Sequence, residues 1–142
     1  MKHIQVVAAI IVYGKTEVLC MRRGESRYAY LTGKYEFPGG KMEPGEAMSQ
    51  ALMRELREEM DLDITIREED FFMTIHHRYP DFDITMHSFV CPVSDKTFTL
   101  KEHTDHRWLR PEALGTLDWA DADWPIVERI QEEAEGGRGN WT

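Results

Sequence analysis

A chain of 142 residues, 42% hydrophobic and 30% charged, is long enough to bury a core as one globular domain. Its formal charge of −9 excludes non-specific binding to DNA or RNA, which draws on Lys and Arg, although a divalent cation can still bring in a small phosphate ligand. Two cysteines, Cys20 and Cys91, are too few for a disulfide framework, and no apolar run approaches the ~20 residues of a membrane span. The first residues read as a strand and not as a signal peptide. The expectation is a cytoplasmic enzyme or binding protein with no membrane and no nucleic-acid polymer as partner.

Residues 3–13 are apolar almost throughout and predict a strand buried on both faces. Gly14-Lys15 predicts a turn and residues 17–21 a hairpin partner. Arg22 and Arg23 end that strand, either as a solvated end or as a contact to phosphate or base at a pocket rim. Residues 24–34 predict a loop anchored by Tyr28, Tyr30 and Leu31, followed by an extended segment at 35–38. The next pair, Gly39-Gly40, lets backbone approach a ligand closely.

Pro44-Gly45 turns the chain, and Glu46 opens a helix that runs from Ala47 to Met60. Met48, Leu52, Leu56 and Met60 recur every four residues as an apolar ridge. Glu55 and Glu59 recur on another face, with Glu58 beside them. Strands are predicted at 62–67, 71–79 and 84–93, with residues 80–83 as the hairpin loop between the last two, then a short extended run at 97–100. Pro111 begins a helical turn. Residues 121–135 predict the last helix, with Asp121 or Asp123 as cap and Pro125 in its first turn. Residues 1–135 are expected to form a single domain and 136–142 a mobile tail.

Carboxylates on adjacent helical turns repel one another by ~0.2–0.5 kcal/mol per pair. A solvated helix face tolerates that, so charge alone leaves the face unexplained. Three features favour a metal site. Glu55, Glu58 and Glu59 share one face, Arg54 can pair with Glu46 or orient a Glu, and the glycine pair upstream can offer a carbonyl oxygen. Hard oxygen donors suit Mg²⁺ or Mn²⁺ and not zinc. The chemistry implied is attack by water at phosphorus.

Gly40, Glu46, Arg54-Glu55-Leu56, Glu58-Glu59 and Leu62 together resemble the signature of the Nudix hydrolases, with Asp61 standing where that signature has Gly. Residues 6–11, Arg22-Arg23, residues 35–41 and Ala122-Asp123-Trp124-Pro125 are similar to the MutT-like branch. The resemblance implies an α/β/α sandwich with a mixed sheet. It also implies hydrolysis of a nucleoside diphosphate linked to a further group, which in MutT-like members is a phosphate. Glu55, Glu58 and Glu59 would be metal ligands together with the Gly40 carbonyl, while Glu46 and Arg54 would hold the loop. A later loop would supply a fourth carboxylate, with Glu102 the candidate and Asp105 its rival.

For the substrate, Arg23 and Lys41 are the candidate cations and Phe37 the candidate wall of a base slot, unless Phe37 is plain core. Phe82 either covers the base or is a surface aromatic. Asp123 stands where oxidised-guanine-specific members carry Asn, and cytosine-specific members resemble this chain there. A carboxylate accepts from the cytosine amine, so cytosine or modified-base nucleotides are expected, unless Asp123 is only a helix cap. A monomer or weak homodimer is expected.

Overall fold

The computed structural model describes residues 1–136. Residues 137–142, which hold most of the predicted tail, lie outside the described residues.

Among the described residues, seven strands form one mixed sheet in which β1 (Lys2–Tyr13) is central. β6 (Phe82–Val93) lies parallel to it along its whole length. On its other side β1 has two antiparallel neighbours. Residues 6–8 pair with β4 (Gly39–Lys41), and Val12 and Tyr13 pair with β2 (Glu17–Arg22). β2 carries β3 (Tyr35–Glu36) and β7 (Asp105–Leu109), and β5 (Phe71–Arg78) closes the far side against β6. Gly14 and Lys15 both adopt positive φ, 63° and 67°, which suits the right-handed twist of the β1–β2 hairpin.

The continuous apolar run of β1 follows from its having a helix on each face. Ala8, Ile10 and Val12 pack in one core with Ile126, Val127 and Ile130 of α2 (Trp124–Glu135). Val7, Ala9 and Ile11 pack in the other with Leu52, Leu56 and Met60 of α1 (Met48–Met60). The architecture is the α/β/α sandwich with a mixed sheet. Neither helix is long and apolar enough to cross a membrane.

α1 starts at Met48, so Glu46 lies in the turn before the helix and not in its first turn. The Gln50 side chain accepts from the Ala47 N–H at the helix start. At the other end Asp61 takes the left-handed conformation (φ 51°, ψ 31°). The N–H of Leu62 then reaches back to the Leu56 carbonyl at 3.2 Å, closing the helix end as a Schellman turn.

Two predicted elements are corrected. Residues 62–67 are not a strand: Leu62, Ile64 and Ile66 pack on the α1-side core, so their alternation reflects burial without a partner strand. The run at 97–100 joins no strand, with Phe98 and Leu100 resting on that core and one backbone bond from Thr99 to Met60. Phe82 is no loop residue. It begins β6, is buried, and its carbonyl accepts from the Tyr79 N–H at 2.9 Å, so the hairpin turn is tighter than residues 80–83.

Candidate active site

The two glycines of β4 do different work. A Cβ on Gly39 would run into the Val7 carbonyl of β1, so only Gly lets the two strands approach. A Cβ on Gly40 would run into the Glu55 carboxylate, so that carboxylate fills the space a side chain there would need. The glycine turn and the helix are thereby registered against each other.

Arg54 ties the loop to the helix. Its Nε and Nη2 donate to the two Glu46 oxygens at 2.7 and 2.9 Å, a bidentate pair. Nη1 donates to Glu55 at 3.0 Å and to Glu58 at 3.2 Å, and Nη2 also reaches the Lys41 carbonyl at 3.0 Å. Glu46 further accepts from the Glu43 N–H at 2.8 Å. These hydrogen bonds, Arg54 first, hold Glu46 down at about 2. Glu55 is pushed up instead, because its burial outweighs its bonds to Arg54.

Glu59 has no ion pair among the described residues and has Glu102 as a neighbour at the cleft. Burial, Glu102 and Glu55 push it up to about 7. Glu102, and not Asp105, borders the same cleft: Asp105 begins β7, opposite Arg22. Glu55 and Glu58 each turn an oxygen to Arg54, so among the described residues no three acidic, His or Cys side chains are gathered at metal-binding distance.

A cleft of about 730 Å³ opens from Gly40, Glu59 and Glu102 toward the sheet's far end. Arg23, Phe37, Lys41, Phe82 and Asp123 all line it. Phe37 is buried and stacks on Trp119 with centroids 4.6 Å apart, so it serves the core and the cleft wall at once. Phe82 packs between Tyr28 and Tyr79, at 5.3 and 5.2 Å. Asp123 is not a side-chain cap, although it sits at the start of α2. Its Oδ1 accepts from the Phe37 N–H at 3.1 Å, which fastens the glycine-turn segment to the helix. Burial first, and then Glu36, push its carboxyl well above the usual range.

Residues 2–130 match the NUDIX domain model. The chain belongs to the Nudix family. It is 38% identical over 129 residues to the CTP pyrophosphohydrolase of Escherichia coli K12, covering 90% of this chain and 91% of that one. To the 8-oxo-dGTP diphosphatase of the same organism it is 30% identical over 131 residues, covering 92% and 98%. The solution structure of the E. coli ORF135 protein superposes with a TM-score of 0.80 at 32% identity, covering 96% and 94%.

Nudix hydrolases generally use a divalent metal, and the donors fit one. They are hard carboxylate oxygens, and Glu59 is raised by burial and then by the neighbouring Glu102 and Glu55. Two residues of this Nudix site escaped the sequence reading. Glu36 accepts from Arg23 at 3.1 Å through one oxygen and pairs with His103 at 2.8 Å through the other. Both line the cleft. Neither has a local sequence signal, because their contact spans distant parts of the chain.

Proposed function

We propose that this Nudix hydrolase cleaves (deoxy)nucleoside triphosphates to monophosphate and pyrophosphate with Mg²⁺, acting on cytosine or modified-base nucleotides. One observation carries the reading. A single cleft joins Glu59 of the signature helix and Glu102 of the later loop to an aromatic slot with a buried carboxyl at its wall. That matches a ligand with phosphates at one end and a base at the other.

Glu55, Glu58 and Glu59, with the Gly40 carbonyl, are the residues to hold Mg²⁺, or Mn²⁺ in its place. When bound, the cation neutralises charge building on the phosphate oxygens. Arg54 and Glu46 keep the glycine loop and helix in register, and Arg54 orients Glu55 and Glu58. Glu102 acts as a further ligand or as the base that takes a proton from the attacking water. Arg23 and Lys41 contact phosphates. Phe37 and Phe82 wall the base slot. Asp123 has one oxygen engaged with the Phe37 N–H and presents the other to the base. Two free, buried thiols suit a reducing, cytoplasmic compartment and nucleotide-pool cleaning there. The protein acts as a monomer or weak homodimer.

Pyrophosphate release measured over a nucleotide panel, with and without Mg²⁺, tests this. Mg²⁺-dependent turnover led by cytosine or oxidised-base triphosphates is expected. Tight nucleotide binding without turnover of any triphosphate would sink it. Asp123→Asn should reorder the panel away from cytosine, and an unaltered ranking removes Asp123 from base selection.

A further inference from the structure

Glu102 sits on a stretch with no strand or helix: between β6 and β7 the chain runs through residues 94–104 in bends and coil. A side chain on such a loop samples many positions, whereas a reacting group must be held within about half an ångström. The residues on either side of Glu102 are each tied to a different rigid element. Lys101 Nζ donates to Asp61 Oδ1 at 3.0 Å and to the Glu58 carbonyl at 3.1 Å, both at the end of α1. His103 Nε2 lies 2.8 Å from Glu36 Oε2 on β3. Backbone bonds from Thr99 to Met60 and from Thr104 to Arg22 bracket the segment at 2.9 and 3.0 Å.

Asp61 gives this arrangement a meaning of its own. A Gly there would reach the left-handed conformation more easily, yet would offer Lys101 no carboxylate. The departure from the signature is coupled to the loop that carries Glu102.

We propose that Lys101 and His103 are positioning residues that pin Glu102 against Glu59 from both sides, with Asp61 and Glu36 as their anchors. The proposal rests on the role given to Glu102 above. The two anchors differ in kind. The Lys101–Asp61 pair is exposed, with side chains 43% and 57% accessible, and it lies outside the cleft. The His103–Glu36 pair is more enclosed and faces the cleft. The Lys101 half is therefore the weaker and the more sensitive to salt.

A double-mutant cycle in kcat tests the pinning. Lys101→Met should lower kcat by roughly two- to five-fold with KM unchanged, the factor an exposed pair supports. His103→Leu should cost about tenfold, as loss of an orienting partner does. In a Glu102→Gln background neither should cost anything further. An equal penalty in that background would overturn the proposal, because Lys101 and His103 would then act on something other than Glu102. Lys101→Arg should retain kcat. Asp61→Gly should match Lys101→Met in kcat with a thermal midpoint as high as wild type, a split that a merely structural pair would not produce. Hydrogen exchange gives a readout without turnover. The amides of residues 102–104 should exchange faster in Lys101→Met while α1 is unaffected, and unchanged exchange there overturns the pinning. Wild-type turnover by Glu102→Gln alone would instead remove Glu102 from the reaction, and the proposed role of that residue would fall first.

Discussion

Glu46 and Glu59 flank the same loop–helix stretch, yet their carboxylates are driven in opposite directions, one down to about 2 and the other up to about 7. Glu46 has both oxygens on Arg54 and a backbone N–H besides. Glu59 has burial and two more carboxylates. The difference is whether the chain supplies the neutralising charge. Where the carboxylate holds the loop, Arg54 supplies it. Where the carboxylate borders the cleft, the chain leaves the charge to be met from outside, and Glu55 stands between the two conditions. On the proposed function, the stretch divides into a structural half and a cation-binding half, although both are written in the same residue type.

The strongest test of that division is Glu59→Gln. Turnover should fall by roughly 10²–10⁴-fold. The metal-free protein should nevertheless become more stable to urea at pH 8, because the amide ends the repulsion with Glu102 and Glu55. A lower urea midpoint would erase the distinction between the halves. Next in size is Gly40→Ala, whose methyl group must push the Glu55 carboxylate aside. Turnover should fall by about 10–100-fold with the fold retained, since a side-chain end can yield. Gly39→Ala, which meets the Val7 carbonyl, should fail to give soluble folded protein, and normal expression of that variant would refute the backbone argument. Glu46→Gln reverses the sign seen with Glu59. It should lower the urea midpoint at neutral pH by releasing Arg54, and reduce turnover by about tenfold. Equal midpoints for Glu46→Gln and wild type would mean that the Arg54 pair contributes nothing to the loop.

Much of this was legible in the chain. The four-residue repeat from Met48 to Met60 placed α1 and the acidic face because both periods arise within one helix. The continuous apolar run of β1 announced a strand covered on both sides. Alternation misled at residues 62–67, since it reports which side chains are buried and not whether the backbone has a partner. Asp123 could be read as a helix cap or a base contact. Its bond to the Phe37 N–H crosses 86 positions of sequence and no local pattern encodes it. The Glu36–His103 pair crosses 67 positions and was missed for the same reason. Signature residues are legible because their geometry is local, and the cleft is assembled from residues that meet only in the fold.

The smallest expected effect is the pH dependence of stability, and it carries the sharpest contrast in sign. Glu59 has its carboxyl raised in the folded protein, from an ordinary 4.5 to about 7, so the folded state binds more protons than the unfolded chain across that window. Its contribution is fully present below pH 4.5 and is lost as pH rises through about 7. Glu46 does the opposite, since its carboxyl is depressed to about 2. Its contribution is present above 4.5 and is lost as pH falls toward 2. Solvent screening keeps both effects modest. A divalent cation that takes the place of the Glu59 proton should flatten the Glu59 limb and leave the Glu46 limb unchanged, because a metal ligand must give up its proton and a carboxylate already held by Arg54 has none to give. Urea midpoints measured from pH 3 to 8, with and without Mg²⁺, should therefore coincide in the acid and diverge increasingly above pH 5. Curves that stay parallel throughout would show that the cation does not enter among Glu55, Glu59 and Glu102, and that the repulsion there is relieved in some other way.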